Sequence, residues 1–129
     1  MSDIVKKTTG LMGLIHGGGI EIPKPFEREI FLFDTHVAGT THVENILELE
    51  PTLNIGDKLL FVREPENQYD PQAIRVMNMK KEKIGYVPMQ DNVVFSRLMD
   101  AGKKLYGRIK SKEMIDEWLK IEMDIYLND

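Results

Sequence analysis

The sequence predicts a mainly β protein, a small, partly open barrel of about six strands, OB-like or SH3-like, with one main helix and one short one. Three observations predict it. From Trp118 to Leu127 apolar and polar residues alternate at period two, the mark of a half-buried strand. Short apolar runs bounded by turn formers recur along the chain, each too short for a helix. One segment alone, near 89–101, reads as a full helix with a natural stop, Gly102. Several short strands, tight turns and a single long helix suit a small barrel.

In chain order, residues 1–28 read as a flexible tail and 29–129 as the domain. Gly17-Gly18-Gly19 favours flexibility, and Pro23 and Pro25 break regular structure. A first strand starts near Ile30 and ends at Gly39. The segment His42 to Leu53 predicts a short helix or turn, with Ile46, Leu47 and Leu49 on one face. Asn54 to Asp57 is a turn feeding the strand Leu59–Val62. Asp70-Pro71 starts a tight turn, because the Asp70 carboxylate accepts from backbone N–H groups two or three residues on and Pro71 pre-sets φ. Ala73–Met79 and Ile84–Val87 form a hairpin around Lys80-Lys81-Glu82-Lys83, with Ile74 and Val76 inward. On the helix, Val94, Leu98 and Ala101 follow the spacing of a core face. Leu105–Lys110 is a further strand. On the last strand Leu119, Ile121, Met123, Ile125 and Leu127 share one face.

Composition narrows the function classes. The 129 residues suit one domain, and 42% hydrophobic with 29% charged residues is an ordinary globular balance. The chain has no cysteine, which excludes disulfides and thiolate metal sites and fits a reducing, cytoplasmic setting. No apolar run approaches the roughly 18–20 residues needed to cross a bilayer, so no membrane partner is expected. The stretch before Gly17 is broken by Gly10, Gly13 and His16 and makes a poor secretory signal. The net charge of −4 argues against a strong, sequence-blind nucleic-acid binder. Its distribution is uneven: residues 26–70 carry a net −7, residues 71–112 a net +7 and residues 113–129 a net −5. That is either a charge-balanced, solvated surface or one cationic face able to meet phosphates.

No catalytic constellation stands out. His16-Gly17-Gly18-Gly19 resembles an oxyanion loop, but no G-x-S-x-G accompanies it. His36 and His42 have no carboxylate at metal-ligand spacing, so no metal site and no cofactor are expected. No Gly-rich phosphate loop is present. The remaining signal is a basic stretch with interleaved aromatics, from Arg75 through Lys83, Tyr86, Lys103, Lys104 and Tyr106 to Lys110. Aromatic faces beside cations can stack the bases and hold the backbone of a single strand. Tyr86 and Tyr106 are equally readable as ordinary barrel aromatics.

The stretch from Arg63 to Val76, REPENQYDPQAIRV, closely resembles the signature of the HIRAN family. Ile84-Gly85-Tyr86-Val87-Pro88 and His36-Val37-Ala38-Gly39 also resemble that family's blocks, and the resemblance runs over residues 31–127. It implies a modified OB-like barrel of about six strands and two helices, found in stand-alone bacterial and phage proteins and in fusions to DNA repair ATPases. The best understood relatives capture the 3′ end of single-stranded DNA. Carried over residue by residue, the resemblance places Asn67 and Asp70 beside the DNA-end pocket and Tyr86 where a side chain touches a base. An Asp70 carboxylate would accept from a 3′-hydroxyl and repel a 3′-phosphate. The same carboxylate also has the turn-capping role, and the two can coexist.

Two departures matter. The family's DNA-end binders follow the first-strand Gly with an Arg and two Tyr, where this chain has Thr41-His42-Val43. A lysine near the helix start is replaced by Met89. His42 is left as a weaker stacking candidate, and DNA-end binding is expected to be weaker or redirected.

The expectation is therefore a binding module and not an enzyme. It would bind nucleic acid, single-stranded DNA first, with its 3′ end as the candidate feature, in DNA repair or replication and alongside a DNA-processing protein. The candidate residues are His42, Asn67, Asp70, Tyr86, Lys103 and Lys104. The alternatives are a protein-interaction domain, with its acidic segments facing a basic partner, and, less favoured, a hydrolase or nuclease.

Overall fold

The computed structural model describes residues 28–128, so the expected tail lies outside the described residues. Six strands form one antiparallel sheet: β1 (Glu29–His36), β2 (Lys58–Arg63), β3 (Ile74–Met77), β4 (Lys83–Tyr86), β5 (Lys104–Ile115) and β6 (Trp118–Asn128). Two helices interrupt them, a single turn α1 (Ile46–Leu49) and the longer α2 (Met89–Asp100). The strand order is β1-β6-β5-β2-β3-β4. The sheet curls into a half-barrel, as the sequence leads one to expect.

The curl brings the two outer strands together. Just past β1, Val37 N–H donates to the Ile121 carbonyl at 2.8 Å, and Ala38 exchanges two hydrogen bonds with Tyr86 on β4. Gly85 makes this closure possible. A Cβ there would overlap the Ala38 carbonyl oxygen and approach Val37 Cγ1 to 2.6 Å. The lack of a side chain lets two backbones meet.

The inward faces make the core. Leu59 on β2, Ile74 and Val76 on β3, Ile84 on β4, Ile109 on β5 and Leu119, Ile121, Met123 and Ile125 on β6 are all buried. Each such side chain contributes about 1.5–3 kcal/mol by leaving water. The period-two pattern of the last strand therefore reads out directly as burial. A bulge in β1 between Phe31 and Phe33 re-aims that strand. Phe31 turns outward onto Tyr126, and Phe33 packs against Phe95 of α2.

The outward face carries one continuous cross-strand row: Lys83, Met77, Leu60, Tyr106, Tyr126 and Phe31. Tyr106 and Tyr126 stack at 5.5 Å, and Lys58 Nζ lies 4.5 Å from the Tyr106 ring centre. Long cationic side chains thus cover apolar surface while keeping their charges in water.

Three details differ from the sequence reading. On α2 the buried residues are Asn92, Phe95 and Ser96, while Val94 is 63% exposed, Ala101 is exposed and Leu98 is only partly buried. Polar residues face inward because the loop opposite supplies their hydrogen-bond partners. On α1, Ile46 and Leu49 are buried and Leu47 faces solvent, as three-residue spacing on a helix requires. Strand β5 also runs on to Ile115, five residues past its expected end, paired along its length with β6. Gly102 does end the helix, at φ 94°.

Candidate functional site

The β2–β3 loop, residues 64–73, is held by side chains as well as by backbone bonds such as Glu64 N–H to the Ala73 carbonyl. Asn67 Oδ1 accepts from the backbone N–H groups of Tyr69 and Asp70, at 2.9 and 3.1 Å. Asp70 Oδ1 accepts from Gln72 N–H at 2.9 Å, the turn cap expected from the sequence. At the end of β2 the Arg63 guanidinium grips Asp100 of α2 with two hydrogen bonds and also donates to the carbonyls of Pro71 and Ala73.

One face of α2 locks this loop in place. Asn92 Nδ2 donates to Asp70 Oδ2 at 2.7 Å, Ser96 Oγ donates to Gln72 Oε1, and Asp100 takes Arg63. These three helix residues are spaced four apart, so they form one stripe. Asn92 and Ser96 are buried polar groups whose presence is explained by these bonds.

Glu64 is the hub of the neighbouring cluster. Its Oε1 accepts from Tyr86 Oη at 2.9 Å and from Asn67 Nδ2 at 3.0 Å, while Oε2 takes the Arg75 guanidinium. Burial pushes the carboxyl pKa up, but hydrogen bonds from Asn67, Tyr86 and Arg75, with the charge of Arg75, outweigh it and hold the group below its ordinary value. Both oxygens have two donors each, so Glu64 is a positioning group and has no acceptor capacity left for a ligand.

The structure brings three of the expected residues together: Asn67 and Tyr86 share Glu64, and Asn67 binds the Asp70 amide. His42 is exposed in the turn Thr40–His42, which packs beside β4. Lys103 and Lys104 stand apart, exposed at the start of β5, with no hydrogen bond from their side chains to the loop. Lys104 lies on the outward face three strands from Tyr86, about 14 Å measured along the sheet.

Sequence reasoning missed Glu64, and it missed Tyr69. Tyr69 is 92% exposed, and its backbone N–H and that of Asp70 are both held by Asn67 Oδ1. The signal for both was their place inside the signature block, between residues that were singled out. Met89 and Val93, also exposed, follow on the α2 side.

The basic segment is partly neutralised. Arg75, Arg108, Lys110 and Lys112 pair with Glu64, Glu29, Asp34 and Glu50, all four acids coming from residues 26–70. Lys80, Lys81, Lys83, Arg97, Lys103 and Lys104 have no ion pair with a described residue. Among the described residues, no group of three His, Asp or Glu side chains is placed to hold a metal ion. No described helix is long and apolar enough to cross a membrane.

Fold and site define a small antiparallel half-barrel whose signature loop is clamped by helix α2. The chain belongs to the HIRAN domain family, whose model matches residues 30–128. It is similar to a protein from Lactobacillus plantarum of known crystal structure, at 30% identity and TM-score 0.73, over 78% of this chain and 96% of that one. It is also similar to the HIRAN domain of human HLTF, in a crystal structure (17% identity, TM-score 0.61, 77% of this chain and 78% of that one) and an NMR structure (16%, 0.53, 78% and 80%). At those identities the HLTF domain speaks for the fold. No curated protein matches the chain.

Proposed function

We propose that this domain binds single-stranded DNA at the Asn67–Asp70–Tyr86 cluster and favours a 3′-hydroxyl end, in the setting of DNA repair or replication. The observation that carries the reading is the clamped loop: it presents the Asp70 carboxylate beside Tyr69, whose backbone the loop fixes and whose ring stands in solvent. Base–aromatic stacking contributes about 1–3 kcal/mol per base, and a ring that stands in solvent is open to it. Each Asp70 oxygen accepts one bond within the protein and keeps a further lone-pair site, so turn capping leaves room for a terminal hydroxyl. A 3′-phosphate would meet like charge there. His42 beside β4, and Lys103 and Lys104 across the sheet, are the outlying contacts. The Arg and Tyr residues absent at Thr41–Val43 make modest affinity the expectation.

Fluorescence anisotropy on short single strands ending in 3′-hydroxyl or 3′-phosphate tests this. Tighter binding of the hydroxyl end is expected; equal binding of both ends removes the end-reading role, and no binding at low salt removes the function.

A second reading, a protein-interaction domain, is favoured by one observation. Beside edge strand β1 and helix α2 lies a groove of about 410 Å³ lined largely by Leu32, Phe33, Val94, Phe95 and Leu98. An edge strand next to an apolar groove can accept an extended peptide. A pull-down that recovers a stable protein partner and no nucleic acid would favour it.

A further inference from the structure

We propose that Lys83 is the phosphate-gripping cation of this site, parked over Tyr86 until a base displaces it. The inference rests on the nucleic-acid reading above and adds to it a residue which that reading does not use. Lys83 opens β4, and its Nζ lies 4.5 Å from the centre of the Tyr86 ring. The residue is exposed and has no ion pair with a described residue. The two arginines at this end of the sheet are already matched, Arg75 by Glu64 and Arg63 by Asp100. Lys83 is thus the cation of the Tyr86 cluster whose charge a ligand can still use.

Tyr86 is pinned at both ends. Its hydroxyl donates to Glu64, and its backbone N–H and carbonyl both pair with Ala38, at 2.9 and 2.8 Å. A ring held this way presents a fixed face, and the ammonium rests over that face by attraction to the π electrons. A nucleobase needs the same face, and the phosphate attached to it needs a cation within a few ångströms. One movement meets both needs. The base takes the ring and the ammonium, on its flexible four-carbon stem, moves to the phosphate. The contact that is broken is solvent-exposed and weak, so the exchange is easy.

Anisotropy of a short oligothymidine strand across a salt series tests this with the whole chain. For the unsubstituted protein, log K falls linearly with log salt. In Lys83→Gln that line should flatten by about 0.7, the share of one single-strand phosphate contact. Lys83→Arg should restore it, and the thermal midpoint should hold in both variants. An unchanged slope in Lys83→Gln overturns the inference alone. So does an affinity loss of the same factor at every salt concentration, since that would be an effect on the ring without a phosphate contact. No binding by the unsubstituted protein at low salt overturns the site reading, and this inference with it.

Discussion

At the scale of single residues, Asp70 and Glu64 do different work. Asp70 caps a turn through Oδ1 and holds Asn92 through Oδ2. Asp70→Ala should cost about 2–4 kcal/mol, from the lost cap and from the buried Asn92 amide left without its acceptor, and abolish any preference between 3′ ends, measured by chemical denaturation and anisotropy side by side. Asp70→Asn keeps an acceptor for the turn while removing the charge, so it should lose end preference at a smaller stability cost. If Asp70→Asn still prefers the hydroxyl end, the carboxylate does not read it. Glu64 has a pKa below its ordinary value of 4.5. A group depressed in the folded state contributes stability above its unfolded pKa and loses it as pH falls through the lower folded value. The thermal midpoint should therefore fall below about pH 4.5. Glu64→Gln should be less stable near neutrality and converge with the unsubstituted protein in acid. The role of Asp70 in the turn was legible in the sequence because its partner is two residues away. The role of Glu64 was not, since its donors Arg75 and Tyr86 lie 11 and 22 residues on and meet it only once the sheet has formed.

At the scale of elements, the contact between α2 and the β2–β3 loop decides whether the site is ordered. Asn92, Ser96 and Asp100 each hold a different point of that loop. Asn92→Ala leaves Asp70 Oδ2 without its buried donor and should cost about 1–3 kcal/mol. Hydrogen exchange should then speed up in residues 67–73 more than in β5 and β6, and exchange rising equally everywhere would argue against a local clamp. Here the sequence misled. Val94, Leu98 and Ala101 have the spacing of a core face, but a helix over a polar loop buries the residues that can bond to it. Nothing local in the helix shows which loop it will meet. Strand β6 shows the opposite case: its apolar face packs against a core and solvent bathes the other, so alternation alone fixes it. The far half of β5, beyond the expected end at Lys110, was hidden because residues 111–115 carry no apolar alternation; they are ordered by pairing with β6.

At the scale of the whole molecule, closure and charge set what the domain can do. The ends of the half-barrel meet at the bridge between Ala38 and Tyr86, which places the Tyr86 ring beside the signature loop. Gly85→Ala should force that bridge apart and cost about 3 kcal/mol, with Tyr86 losing its fixed orientation; a near-neutral effect in urea denaturation would contradict this account of the closure. The sequence offered Gly85 but not the strand it meets, 47 residues earlier in the chain at Ala38. Charge is the other global term. With four of the cations in residues 71–112 paired to acids, Lys83, Lys103 and Lys104 remain near the proposed path. Three such contacts predict a slope of log K against log salt of about −2. A much steeper slope would require contacts outside it.

The most direct test of the central claim is an amide chemical-shift map of the isotope-labelled protein titrated with a short single strand ending in a 3′-hydroxyl. The account predicts the largest shifts in residues 67–72 and around Lys83–Tyr86, with smaller ones at His42 and Lys103–Lys104. Shifts confined to β1 and the outer face of α2, or none at concentrations well above those of the protein, would contradict it.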